Sequence, residues 1–432
     1  MKAIVTKEQI TNKMVLAILI AILFIAGAAF FRMITLLALF VMIYYIFTSK
    51  EGDIIALGFL LCTMASVMKF NGSLSLLNIY FIVTIIRLLY LRKFMVTSPV
   101  VSFLIVILII TAISLAMSLF NTLYEIISFD AEMIFAILVL SSKSKLNYRR
   151  FLMAFSIGLI LSSCTFLMVD YLPGIRELVL STTYKLMTGE RILRFSGLIG
   201  NPNHYSLALS LAIAGHMTYI LSERASIVDY FFTVVFLYFG FYSISVSFIL
   251  GVAVSVVIAI VYLLRKSPEK WIKYIIIGSA VLLIASYFVG SQYISILQKR
   301  IEFNDAVDMN GFTSGRLGRF EVYFEYMEAH PYIYLIGNGL FNILDVSSHN
   351  FFIEMLFYCG IPLSVILTVF WISVGRKHIK NKHKNLLNWF MLIVFFTRAM
   401  GINIVVSIIF PFYILLCTLC FDEDFSSAHQ KE

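Results

Sequence analysis

The chain has 432 residues, of which 61% are hydrophobic and 13% charged, with a mean hydropathy of +0.94. Soluble domains average about 45–50% apolar and about 25% charged residues, so a soluble globular class is excluded. The net charge of +9 does not point to nucleic acid, because the lysines and arginines stand in short loops between apolar runs, where membrane topology accounts for them.

Apolar runs fall at 14–30, 32–48, 54–69, 74–91, 99–120, 128–141, 151–170, 203–221, 227–244, 246–264, 272–290, 350–374, 386–400 and 402–421. Spanning a bilayer takes about 20 apolar residues, and these runs are continuous, unlike the short alternating segments of an outer-membrane barrel. The pattern predicts an all-α polytopic membrane protein of about twelve to fourteen transmembrane helices, the lower figure applying if the first and last pairs each form a re-entrant hairpin. Lys2, Lys7 and Lys13 before the first run resemble a signal peptide, and Ala26-Gly27-Ala28 a cleavage site. A second run follows at once, which favours an uncleaved first helix.

Alternate loops carry the basic residues: Lys50, Arg92 and Lys93, "KSKLNYRR" at 143–150, Arg224, "RKSPEKWIK" at 265–273 and "GRKHIKNKHK" at 375–384. The positive-inside rule makes this side cytoplasmic, with both termini inside. The last of these runs reads as a topology signal with contact to anionic lipid. The opposite side holds two long segments, 171–202 and 291–349. They divide the chain into N-terminal helices (1–170), central helices (203–290) and C-terminal helices with a tail (350–432). Cys62, Cys164, Cys359, Cys417 and Cys420 lie in or beside apolar segments without metal-ligand spacing, which reads as small core residues.

The first external segment ends in "RILRFSGLIGNPNHYSLALSLAIAG". Here Arg191 and Arg194 precede a Gly-Asn-Pro-Asn turn with Asn201 and Asn203, then His204 and a membrane helix. Pro after Asn is a sound helix start. The second segment contains "TSGRLGRF", with Arg316 and Arg319 beside Gly318. Its continuation "GRFEVYFEYMEAHP" places Phe320, Tyr323, Phe324 and Met327 at helical spacing, with Glu321, Glu325 and Glu328 opposite. That predicts an amphipathic helix in the headgroup layer, ended by Pro331 and turned back by Gly337 and Gly339. Arginines beside helix starts suit phosphate, since the free amides, the partial positive charge and the guanidinium fork all match its oxygens. External arginines that snorkel to headgroups remain the alternative.

"DVSSHNFFIEML" brings His349 and Asn350 to the mouth of the next span. His349 reads as an interfacial histidine bound to a carbonyl or as a general base, whose ordinary pKa near 6.5 suits proton abstraction. No second ligand stands at metal spacing beside it. A base next to pyrophosphate-binding arginines suits transfer of a phosphate-activated sugar to a hydroxyl, with no paired general acid needed. Asp305, Asp308 and Asp345 are weaker candidates. Glu354 and Arg398, inside apolar runs, read equally as a structural ion pair or as functional charges.

"RFSGLIGNPNHYS", "SGRLGRFEVYFEYMEAHPYIYLIGNGLF" and "SHNFFIEMLFYCGI", in that order over roughly residues 190–365, resemble the O-antigen polymerase and O-antigen ligase superfamily of bacterial envelope enzymes. The resemblance implies a GT-C-like glycosyltransferase of the bacterial inner membrane, working on undecaprenyl-pyrophosphate-linked oligosaccharides without metal, nucleotide or other cofactor. It implies His349 as base and Arg316 as a pyrophosphate ligand. Arg194 is the leading second arginine, Arg191 and Arg319 are further candidates, and Asn201, Asn203, His204, Asn350, Gly337 and Gly339 shape the site. Many members carry a Ser-Arg-Gly-like motif where this chain reads "YSISVSFILG", so Ser245 and Ser247 mark that position without a cation. The helix number leans to a polymerase, with membrane lipids and a chain-length regulator as further partners. A ligase acting on lipid A core and a lipid-linked oligosaccharide transporter are the alternatives.

Overall fold

The structure is a computed structural model and describes residues 12–70, 74–91, 94–118, 123–144, 146–185, 191–266, 316–340, 343–344, 346–378, 386–405, 407–423 and 425. The run at 272–290, the aspartates Asp305, Asp308 and Asp345 and positions 186–190 of the first external segment lie outside these residues.

The chain is mostly helical. Its first half is built from α1 (Asn12–Ala29), α2 (Arg32–Thr48), α3 (Glu51–Leu61), α4 (Leu76–Leu91), α5 (Ser98–Ser118), α6 (Leu123–Leu140) and α7 (Tyr148–Cys164). A one-turn α8 (Arg176–Val179) follows, then α9 (Pro202–Leu221), α10 (Ile227–Tyr242) and α11 (Val246–Lys266). The last part holds α12 (Arg316–Ala329), α13 (Tyr332–Ile336), α14 (Phe351–His378), α15 (Leu386–Ala399) and α16 (Phe410–Asp422). Two antiparallel hairpins interrupt the helices: β1 (Lys69–Phe70) with β2 (Leu74–Ser75), and β3 (Leu180–Lys185) with β4 (Arg191–Phe195).

Among the described residues four stretches are long and apolar enough to cross a membrane: Asn12–Ala29, Val100–Met117, Ser247–Lys266 and Phe351–Val369. Shorter apolar helices include α2, α4, α10 and α15. These helices point to a membrane protein, and leucines, isoleucines and phenylalanines lie exposed along α1, α2, α5 and α10, as lipid contact requires. Some of the predicted runs are only partly helical. The run at 54–69 leaves the α-helix after Leu61 for a 3₁₀ turn, the run at 151–170 leaves it after Cys164, and the run at 402–421 does not become helical until Phe410.

The core of the bundle is aromatic. The Phe412 ring lies 5.4 Å from Phe59, 6.3 Å from Tyr80, 5.6 Å from Phe81 and 5.5 Å from Phe135, drawing α3, α4, α6 and α16 together. The central element is α9, which packs on α7, α10, α11 and α15. Its small residues Ala208, Ser210, Ala212, Ala214 and Gly215 are all buried and let the neighbours approach closely.

The expectation for α12 is corrected at two of its four apolar positions, since Phe324 is exposed and Phe320 half-buried. Glu321, Glu325 and Glu328 are exposed as predicted, yet Tyr323 and Met327 are fully buried against the protein rather than turned to headgroups. Tyr323 meets Phe357 of α14 edge-on at 4.9 Å, and its hydroxyl donates to the Val346 carbonyl at 2.7 Å. A stripe of aromatics serves either surface, and here a helix face stood beside it. Among the cysteines only Cys164 of the five is exposed.

Candidate functional site

The turn before α9 shows why its residues lie where they do. Asn201 is extended, and its side-chain oxygen accepts from the Asn203 amide at 2.9 Å and the His204 amide at 3.3 Å, capping the helix that Pro202 opens. Gly200 has φ 82°, a left-handed turn that brings the chain against Ser66. This geometry delivers Asn203 and His204 at the helix mouth.

Arg194 reaches the same place from β4. It is buried, its Nε donates to the Ser243 carbonyl at 2.7 Å, and its Nη2 donates to Asn203 Oδ1 at 3.0 Å. Ser245 Oγ also donates to Asn203 Oδ1, at 3.2 Å, and lies 2.9 Å from Ser247 Oγ. The serines at the position expected to lack a cation therefore stand beside Arg194, which supplies one. Arg191 pairs with Lys185 at the start of β4, and its side chain is outside what the structure describes.

A further arginine stands beside Arg194. Arg398, near the end of α15, is completely buried, with Nη2 donating to Ser206 Oγ and, at 3.4 Å, to the Asn203 carbonyl. Its Nε and Nη1 have no hydrogen-bond partner among the described residues. Arg194 and Arg316 are both close enough to act on its charge. Two glycines make room: a Cβ on Gly251 would lie 2.8 Å from Arg398 Cδ, and one on Gly401 would lie 3.1 Å from Arg316 Nη1. The structure shows no ion pair between Glu354 and Arg398 among the described residues. The Glu354 carboxyl instead takes the backbone amides of Ile404 and Val405.

His349 sits at the edge of this group. Burial first, then the Arg319 and Arg316 guanidinium groups, hold its ring below the ordinary imidazole value of 6.5, opposed by a hydrogen bond with the Asn403 side chain. Arg319 Nη1 also reaches the Ser347 carbonyl at 3.4 Å. His349 has φ 52°, the left-handed region, which non-glycine residues seldom adopt and which recurs at functional sites. The neighbours hold it there. The Ser347 hydroxyl accepts the His349 amide at 3.3 Å, and Asn350 caps α14 through the Phe352 and Ile353 amides at 2.9 and 3.2 Å. Asn403 links the two histidines, since His204 meets its backbone while His349 meets its side chain.

Four segments distant in sequence thus converge on one end of the bundle: β4 with the α9 mouth, α12, the start of α14, and α15 with the turn after it. Arg194, Arg316, Arg319, Asn203, His204, His349 and Asn350 are brought together there. Gly337 and Gly339, at φ 76° and 66°, seat the loop before α14 against Tyr358 and Ser114 and act on that loop. Asn403 was not foreseen, and Arg398, which the sequence offered as a structural or a functional charge, joins the arginines rather than Glu354. The signal for Arg398 was a charge within an apolar run flanked in space by glycines.

Like charges gathered in a partly dry place repel one another, so the arrangement favours a ligand with several negative oxygens. The neutral His349 beside it can take a proton. A second constellation does not compete for this role. Ser156 Oγ lies 2.7 Å from His216 Nε2, and His216 Nδ1 lies 2.8 Å from Asp229 Oδ1, the order of a hydrolase triad. All three are sealed in the interior, where no substrate reaches the hydroxyl, and Arg149 binds the far Asp229 oxygen at 2.8 Å. The network fastens α7, α9 and α10 about 18 Å down α9 from His204. Among the described residues no group of three or more His, Cys, Asp or Glu is placed to hold a metal ion. No family model matches the chain, and no curated protein matches it.

Proposed function

We propose that the chain is a polytopic, GT-C-like glycosyltransferase of the bacterial inner membrane that polymerises undecaprenyl-pyrophosphate-linked repeat units on the external face. The observation that carries this reading is the convergence of Arg194, Arg316 and Arg398 from three distant segments, with the His349 ring at their edge. The resemblance of residues 190–365 to the O-antigen polymerase and ligase superfamily supports the same reading.

In this reading the arginines hold the pyrophosphate of the growing lipid-linked chain. His349 takes the proton of an acceptor hydroxyl on the next lipid-linked repeat unit. The hydroxyl oxygen bonds to the anomeric carbon as the bond from that carbon to the pyrophosphate oxygen breaks. Undecaprenyl pyrophosphate leaves with the electron pair, its charge spread over guanidinium donors. One displacement inverts the anomeric configuration. Burial, with Arg319 and Arg316, keeps His349 neutral and ready to accept.

The test is polymer length in a strain lacking its own copy, complemented at matched expression with wild type, His349→Ala or Arg316→Ala, with lipid-linked repeat units quantified. The expected result is a ladder for wild type and single units on the outer side for both variants. Full-length polymer accumulating on the carrier lipid replaces the polymerase by a ligase. Single units held on the cytoplasmic face replace it by a transporter, and the assignment of His349 as base then falls.

A further inference from the structure

A cavity of about 870 Å³ begins at Asn201, His204 and Ser407, beside the arginine and histidine group, and extends between the N-terminal helices to Glu125, Ser128 and Glu132. Its far wall is a fixed polar surface. Glu132 is buried, and its Oε1 accepts from Ser128 Oγ at 2.9 Å. Ser128 Oγ also lies 3.0 Å from Asn78 Oδ1, while Asn78 Nδ2 and the Ser75 amide donate to the Tyr124 hydroxyl at 3.0 and 2.9 Å. Within this network one atom stands out. Glu132 Oε2 is buried at the cavity wall and has no hydrogen-bond partner among the described residues. A carboxylate oxygen in such a place is costly unless a donor reaches it, so the site calls for a hydroxyl or ammonium group.

The remaining wall narrows the ligand. Tyr124 and Phe129 present ring surface, and Glu125 with Glu132 outnumbers the single lysine, Lys69. Hydroxyl, amide and aromatic walls suit a sugar, and the volume falls within the range of about 300–1,000 Å³ that encloses a compact ligand, here a short oligosaccharide. The molecule is therefore polar in two senses, cationic where phosphate would sit and acidic at the other end.

We infer that this cavity is the subsite for the glycan part of the lipid-linked substrate, with Glu132 accepting a hydrogen bond from a sugar hydroxyl or amine. The inference rests on the proposed function for its choice of glycan, and on the cavity and Glu132 for its location.

The test uses the full chain in lipid nanodiscs with four probes: maltotriose, the trisaccharide of glucosamine, trigalacturonate, and farnesyl pyrophosphate for the arginine end. Binding is read by ligand-observed NMR. The expected result is binding of the neutral or the amine trisaccharide in preference to trigalacturonate. Glu132→Gln should weaken the amine probe about 10- to 100-fold, as loss of a carboxyl that can pair with its ammonium requires. Farnesyl pyrophosphate binding by Glu132→Gln, unchanged from wild type, shows that the variant is folded, and Ser128→Ala should weaken the same trisaccharide less. Binding of no trisaccharide, or equal binding of the amine probe by wild type and Glu132→Gln, overturns the subsite. Failure of the arginine reading shows separately, as farnesyl pyrophosphate binding that Arg316→Ala leaves unchanged.

Discussion

Replacing Arg398 by methionine separates a functional charge from a structural one, because the two roles predict opposite signs. Arg398 is fully buried beside the like charges of Arg194 and Arg316. The substitution removes a charge-assisted hydrogen bond to Ser206, worth about 1.5–3 kcal/mol. Ser206 Oγ is not orphaned, since it also donates to the Asn203 carbonyl at 2.9 Å. Against that loss, an incompletely bonded buried cation and its repulsions disappear, and exchanging such groups for an apolar chain of similar length is often neutral or stabilising by about 1–4 kcal/mol. The unliganded Arg398→Met protein should therefore melt at the wild-type temperature or up to about 3 °C above it. Its affinity for farnesyl pyrophosphate should fall about 10- to 150-fold, the equivalent of the same 1.5–3 kcal/mol. Thermal unfolding in nanodiscs, followed by tryptophan fluorescence with and without that ligand, measures both quantities. A melting temperature several degrees lower with unchanged ligand affinity refutes the reasoning and makes Arg398 a structural residue.

Three further outcomes follow from the site. In the proposed function His349 accepts a proton only when neutral, and burial, Arg319 and Arg316 hold its pKa below 6.5, so transfer should rise with pH on a limb below that value; Arg319→Gln removes one positive neighbour and should move the limb to higher pH, read from initial rates across the acidic range. His349→Gly should lower the transfer rate about 10²- to 10⁴-fold, while thermal stability holds or rises by about 1 kcal/mol as the left-handed backbone loses its side chain. Asn201→Ala removes the cap of α9 and should cost about 1 kcal/mol in thermal unfolding, with weaker farnesyl pyrophosphate binding as Asn203 loses its placement.

The helical class and most helix positions were legible because they depend on continuous apolar stretches, a property of the chain itself. The run at 402–421 misled because it is apolar apart from Asn403, Ser407 and Thr418, yet the amides of Ile404 and Val405 are turned to the Glu354 carboxyl rather than along a helix. Glu354 lies some fifty positions earlier, so no local pattern marks the interruption. The same holds for Glu132: its helix reads as an ordinary apolar segment, and its significance comes from Asn78, Ser75 and Ser66, contributed by other parts of the chain. The arginines of the two loop segments and His349 were legible because glycines and helix-capping residues surround them in the sequence. Arg398 had only its own charge to announce it, and Asn403 had nothing.

Helix α14 is broken at Gly360, where φ is 68°, two residues before Pro362. The break frees the carbonyls of Phe357 and Tyr358, which accept the Asn338 amide at 2.7 Å and the Gly339 amide at 3.0 Å. In apolar surroundings neither the broken helix nor the returning loop is satisfied without the other. The break and the returning loop therefore fix each other. His349 lies on the stretch of chain between these partners, so its placement is tied to the break in α14.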